Sequence, residues 1–143
     1  MIKLSVSALQ RSVDFYRLLG FAPLSEPVER RDSSLGSLYG VGCDRLRMQI
    51  IQLADAAPPL RIELIEWSEQ VAGAPDFTTP GAVAIGFDVR SLDESLEALA
   101  RAGHSPVAVI REFPGARRTT RLANVADPDG RMIQLVETIR HAG

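Results

Sequence analysis

Apolar and polar side chains alternate through Ile2, Lys3, Leu4, Ser5 and Val6, and the period then lengthens so that Leu9, Val13 and Tyr16 recur at helical spacing. The first pattern predicts a half-buried strand, the second an amphipathic helix that lays one stripe on a sheet. The same change of period returns later in the chain. Residues 87 to 104, FDVRSLDESLEALARAGH, repeat residues 4 to 21, LSVSALQRSVDFYRLLGF, without a gap, and Val6, Leu9, Ser12 and Gly20 are matched by Val89, Leu92, Ser95 and Gly103. Ser7 before Gln10 and Ser91 before Glu94 read as capping boxes, and the two glycines stand where a helix closes in the left-handed conformation. A second echo ends each copy, RIELIEW at 61 to 67 aligning with MIQLVET at 132 to 138. One supersecondary unit is therefore written twice.

Between helix and final strand the first copy carries a polar, turn-rich stretch over 24–42, then LRMQIIQLA and, past Pro58 and Pro59, LRIELIEW, which read as adjacent strands. The second copy runs through PVAVIREF, TTRLANVA and RMIQLVET, with Asp127, Pro128, Asp129 and Gly130 as the last hairpin turn. Each half thus predicts a strand, a helix and three antiparallel strands, an α+β architecture. The boundaries expected are module one at 1–67, a Pro- and Gly-punctuated linker at 68–80, module two at 81–138 and a tail at 139–143. Each module is close to the size at which a lone core becomes marginal, so the two are expected to share buried surface, within the chain or across a homodimer.

A net charge of −2, from 16 basic and 18 acidic side chains, gives no global attraction to phosphate backbones or anionic bilayers, so neither nucleic acid nor membrane is an expected partner. The first residues lack the long apolar stretch of a secretory signal, and the chain reads as cytoplasmic. Its single cysteine, Cys43, has no partner for an internal disulfide, and a structural role outweighs a reactive one.

The paired repeat, with its strand–helix opening, the LGF at 19–21 and the closing DPDGRMIQLVE at 127–137, resembles the vicinal oxygen chelate superfamily, the glyoxalase, bleomycin-resistance and extradiol dioxygenase family. The resemblance covers nearly the whole chain. It implies two βαβββ modules whose curled mixed sheets form an open cup with a ligand site inside, and a homodimer in many relatives. In metal-using relatives four ligands come from the first and last strands of the two modules, and those positions here are Met1, Glu63, Ala84 and Gln134. A thioether is soft, alanine has no donor, and a neutral amide is a weaker ligand than a carboxylate, so this set is not expected to hold a divalent ion and no cofactor is expected.

Strand parity then nominates what the cup contains. With Glu63 facing inward, Arg61 and Ile65 share its face, the first strands offer Lys3, Ser5, Gly86 and Asp88, and the later strands offer Thr120, Leu122, Asn124, Met132 and Gln134. Lys3, Ser5, Arg61, Thr120, Leu122, Asn124, Met132 and Gln134 are the candidate ligand-binding residues of a small-molecule pocket. Glu63 is the candidate general base, because a carboxylate in a partly apolar cup has its charged form disfavoured; the alternative is a structural pair with Lys3 or Arg61. Asp88 is a second candidate acid or base, or a strand end at the rim. Arg111, Arg117, Arg118 and Arg121 read either as a gate that grips an anionic group of the ligand or as a solvated loop. His104, His141 and the turn residues Asp127 and Asp129 read as structural or surface groups, and Trp67 as a plug at the module junction.

Three functions remain open at this point. One is a metal-independent enzyme, an isomerase, cyclase or lyase using Glu63 as base with Lys3, Gln134 or arginines stabilising a developing oxyanion. Another is a non-catalytic protein that sequesters a drug or natural product, for which a chain only 6% aromatic is poorly supplied with stacking platforms. The last is a metal-dependent lyase, epimerase or dioxygenase, against which the ligand positions argue.

Overall fold

The computed structural model describes residues 1–71, 73 and 76–142, and its contacts divide the chain into two units, Met1–Gly73 and Ala74–Gly143. In the first, β1 (Ile2–Ser5) leads into α1 (Leu9–Leu18), followed by β2 (Ala22–Pro23), β3 (Val28–Arg31), α2 (Ser33–Leu38), β4 (Arg45–Leu53) and β5 (Leu60–Trp67). Its sheet has the order β1-β5-β4-β2, with β3 also on β4; β1 is parallel to β5 and the other pairs are antiparallel. The second unit comprises β6 (Ala84–Asp88), α3 (Leu92–Arg101), β7 (Arg111–Pro114), β8 (Arg118–Ala126) and β9 (Met132–Arg140), in the sheet order β6-β9-β8-β7 with β6 parallel to β9. The βαβββ plan predicted from the repeat is the fold of both units, with the middle edge of the first divided between β2 and β3.

Helix packing follows from the alternation. Leu4, Ile51, Ile62 and Leu64 are buried on one face of the first sheet, where α1 meets β4 and β5, and Leu9, Val13 and Tyr16 of the helix are buried with them. Tyr16 also stacks edge-on against Phe15 and Phe21. The second unit repeats the device with Ile85, Phe87, Ala123, Val125, Ile133 and Leu135 on the face where α3 meets β8 and β9, and with Leu92 and Leu99 of α3 buried. Both helices end as predicted: Gly20 (φ 93°) and Gly103 (φ 87°) reverse the chain, with Phe21 N–H donating to the Tyr16 carbonyl and His104 N–H to the Leu99 carbonyl.

The helix starts differ. Ser91 caps α3 as expected, its hydroxyl accepting from Glu94 N–H at 3.2 Å. Ser7 does not cap α1, which begins one residue later than that box requires, at Ala8. The Leu9 N–H instead donates at 2.5 Å to the carboxylate of Glu66, sent across from β5, while the Ser7 hydroxyl accepts from Arg11. A carboxylate suits the positive end of the helix dipole better than a hydroxyl, so the tertiary partner displaces the local one.

The polar, turn-rich 24–42 stretch contains β3 and α2. Asp32 caps α2 by accepting from Ser34 N–H at 2.9 Å, and Asp32 N–H donates to the Asp44 carbonyl at 2.6 Å, closing the segment against the start of β4. Strand β7 is shorter than the PVAVIREF run, whose start meets β8 at the isolated bridge between Pro106 and Val125, with Val107 N–H donating to the Asn124 carbonyl at 2.7 Å. Strand β9 continues to Arg140, two residues beyond the expected end of module two.

Candidate functional site

Each sheet has a second face, opposite its helix, and register decides which side chains share it. In the first unit Lys3 is the Cα partner of Glu63, Ser5 of Ile65, Ile50 of Glu63, Met48 of Ile65 and Gln52 of Arg61. Lys3, Ser5, Arg61 and Glu63 therefore lie on one surface, as parity predicted. Glu63 is only 5% exposed, and the Lys3 ammonium, whose side chain is 45% exposed, donates directly to it. Of the alternatives for Glu63's companion, Lys3 is the one realised; Arg61 donates from Nε to Gln52 at 2.8 Å instead.

The α2 segment covers one end of this face. Leu35 packs against Cys43, Leu46, Ile65 and Trp67, and Tyr39 meets Trp67 edge-to-face with ring centroids 5.6 Å apart. Trp67 thus fills a cluster of its own unit. Gly36 sits so close to the chain behind it that a Cβ there would lie 2.1 Å from the Cys43 carbonyl oxygen, so the segment is seated by backbone contact as well as by side chains. The Tyr39 hydroxyl also interacts with Lys3. Together with Glu63, whose hydrogen bond is the larger effect, it raises the lysine above its ordinary value and keeps it an ammonium. Sequence reasoning missed Tyr39, because α2 has no counterpart in the second copy; an aromatic within an otherwise polar insertion was the available signal. Cys43 is buried, and hydrogen bonding to the Ser68 hydroxyl lowers its thiol from the usual value.

In the second unit Gly86 is the partner of Gln134, which is also opposite Asn124, while Asp88 and Leu122 both oppose Val136 and Thr120 opposes Thr138. Asp88, Thr120, Leu122, Asn124, Met132 and Gln134 accordingly share the open face, and Gln134 donates to the Asn124 side-chain oxygen at 3.1 Å. Asp88 is exposed at the end of β6. Arg121 fits neither reading of the arginine run, gate or solvated loop. It points to the helix side, pairing with Asp93 of α3 at 3.0 Å, Glu112 at 3.1 Å and Glu137 at 2.8 Å. The Asp93 and Glu137 hydrogen bonds hold its guanidinium above the ordinary arginine value, and the same contact lowers Asp93. Asp127 serves the hairpin, accepting from Asp129 N–H, Arg131 N–H and the Arg131 guanidinium. His141 is exposed beside the Thr119 hydroxyl.

The four positions that hold a metal in metal-using members of the resembled superfamily do not fit one here. Met1 is an exposed thioether, Ala84 has no donor, the Gln134 amide is engaged by Asn124, and the carboxylate of Glu63 already carries the Lys3 ammonium. Among the described residues no three His, Cys, Asp or Glu side chains are grouped closely enough to hold an ion, and no helix is long and apolar enough to cross a membrane.

Solved structures with the same fold are numerous. A glyoxalase family protein from Bacillus cereus is 19% identical, with a TM-score of 0.82 over 96% of this chain and 91% of that one. Glyoxalase I of Leishmania major, described as trypanothione-dependent, is 18% identical with a TM-score of 0.62 over 94% and 82%. A glyoxalase family protein from Enterococcus faecalis is 20% identical with a TM-score of 0.62 over 95% and 94%. Comparison with curated proteins finds no match. The family model of the Glyoxalase/Bleomycin resistance protein/Dioxygenase superfamily matches residues 1–135, and with the doubled βαβββ plan this places the chain in that superfamily.

Proposed function

We propose that the protein binds a small organic molecule on the open sheet surface and acts on it without a divalent metal, as an isomerase, cyclase or lyase in which Glu63 is the general base and Lys3 stabilises developing negative charge. The observation that carries this reading is the Lys3–Glu63 pair itself: a buried carboxylate and a half-exposed ammonium side by side on a surface whose neighbours include the apolar Met48, Ile50 and Ile65 beside the polar Ser5, Gln52 and Arg61. An acid and a base held next to each other in a partly apolar site supply both halves of a proton transfer, and the ammonium offers the electrostatic stabilisation that a metal gives elsewhere. Tyr39 adds a third polar group at the edge of the same surface.

A non-catalytic binding role is the second reading. Its support is that the ion pair is already satisfied and that the Tyr39–Trp67 contact provides an aromatic wall. Thermal-shift screening of small organic acids and carbonyl compounds finds the ligand, since saturation at 100 times the dissociation constant stabilises by about 2.7 kcal/mol. With that compound, Glu63→Gln is expected to lower turnover about 100-fold or more while affinity is largely kept. Loss of affinity alone favours the binder, and no change in either defeats the acid–base role. Titration with Mn, Fe, Ni and Zn salts is expected to show no stoichiometric uptake. Homodimer formation belongs to the same proposal and is checked by analytical ultracentrifugation.

A further inference from the structure

We infer that the open face of the second sheet carries an oxyanion site built on Arg118 and Arg140. The two arginines are directly opposite each other on adjacent antiparallel strands, in a register that next pairs Thr120 with Thr138 and then Leu122 with Val136. On β7, Phe113 opposes Thr120 and Arg111 opposes Leu122, so a third guanidinium and an exposed ring border the same rows. Parity assigns Arg118 and Arg140 to this face, because Ala123, Val125, Ile133 and Leu135, at the alternate positions, are buried on the helix side.

Like charges opposed across two strands are destabilising, with side chains leaving the backbone only about 5 Å apart. Carboxylates that would relieve the repulsion exist in the unit but stand elsewhere. Glu112, Glu137 and Asp93 all converge on Arg121 on the other side of the sheet, and Asp88 is two strands away from β8. Among the described residues Arg118 and Arg140 have no ion-pair partner. The strand ends that carry them are tied together, His141 N–H donating to the Arg117 carbonyl at 3.0 Å and the His141 ring meeting the Thr119 hydroxyl at 3.0 Å, so the two guanidinium stems are held adjacent. Two planar forks with two hydroxyls in the neighbouring row match the geometry of a carboxylate or phosphate, and Phe113, Leu122 and Val136 offer an apolar surface to the body that bears it. The ligand class is a small organic anion; a net charge of −2 disfavours a polyanion. This site does not depend on the role of Glu63.

The test is titration of the full chain with phenyl phosphate, phenylacetate and, at matched ionic strength, sodium chloride, followed by calorimetry and by the backbone amide signals of Thr120 and Thr138. Saturable binding of phenyl phosphate or phenylacetate, absent with chloride, is the expected result; preference for the first identifies a phosphorylated ligand and for the second a carboxylic acid. Arg118→Gln with Arg140→Gln should weaken it about tenfold or more, the double lysine variant should weaken it less, and Arg117→Gln, in the turn, should leave it unchanged. A response that chloride reproduces, or that survives the double glutamine variant, overturns the site, as does no saturable binding of either organic anion.

Discussion

The two units place different chemistry at one and the same point of their sheets. The repeat aligns Lys3 with Gly86 and Glu63 with Gln134, and in both units those residues are register partners across the parallel strand pair. In the first the pair is an ammonium and a buried carboxylate; in the second it is a hydrogen atom and a neutral amide turned toward Asn124. The cover differs too. Alternate residues of β9 are buried from Ile133 to Leu135 while their neighbours stay half-exposed, whereas β5 is buried on both faces at Ile62, Glu63, Leu64 and Ile65 because the α2 segment lies over one end of its open side. The charge pair thus stands where local cover lowers the surrounding dielectric and strengthens it, and the uncharged pair stands where the open-face residues of the strand are half-exposed.

The largest expected effect on this contrast comes from Gly36→Ala. A methyl 2.1 Å from the Cys43 carbonyl forces the α2 segment away from the sheet, at a cost of about 3 kcal/mol in urea unfolding. Gly86→Ala, whose Cβ would meet Gln134 at an ordinary 3.9 Å, should change stability by less than about 0.5 kcal/mol. Equal costs at the two glycines would erase the distinction between a covered and an open face.

Next in size is Lys3→Met, which strands the Glu63 carboxylate. The exposed end of the pair is screened by solvent, so the loss should be about 2 kcal/mol rather than the larger value of a fully buried pair. The pH dependence has a definite sign. Because the folded lysine titrates above its ordinary 10.5, its contribution is fully present below that pH and is lost as pH rises through the raised folded value. Thermal melts from pH 7 to 11.5 should fall at the alkaline end for the wild type and not for the methionine variant.

Gln134→Glu should destabilise the second unit by about 1 kcal/mol, since the new carboxylate faces Gly86 and the Asn124 oxygen without a cation. Adding Gly86→Lys should recover most of that loss, and a double-mutant cycle with coupling indistinguishable from zero would show that the pair cannot be transplanted. The smallest effect separates Ser12 from Ser95. The Ser95 hydroxyl donates to the Ser91 carbonyl at 2.9 Å, and its removal should cost about 0.5 kcal/mol. The buried Ser12 hydroxyl has no partner among the described residues, so Ser12→Ala should be neutral or slightly stabilising in chemical denaturation.

The candidate surface was legible in the sequence to the extent that it is made of strand residues. A period of two puts Lys3 with Ser5, and Arg61 with Glu63, on common faces without knowledge of the tertiary structure, and the repeat then transfers the argument to Asn124, Met132 and Gln134. Tyr39 was not legible, because the insertion that holds it has no periodicity and no echo. The role of Arg121 was not legible, because a run of arginines says nothing of faces until the strand register is known. Arg140 escaped because the strand was expected to stop at Thr138; two further residues of the same alternation reach it.

By itself the sequence determined the doubling, the helices and their glycine ends, and which side chains share a face, since all of these follow from short-range periodicity and backbone sterics that neighbours within a few residues dictate. Tertiary structure alone decided that Glu66 rather than Ser7 caps the first helix, that Glu63 is neutralised by Lys3 rather than Arg61, and that Arg121 serves the helix side. In each of those choices a charged partner distant in the chain prevails, over a neighbour within two residues in the first two, and only the packed sheet sets the distances that decide it.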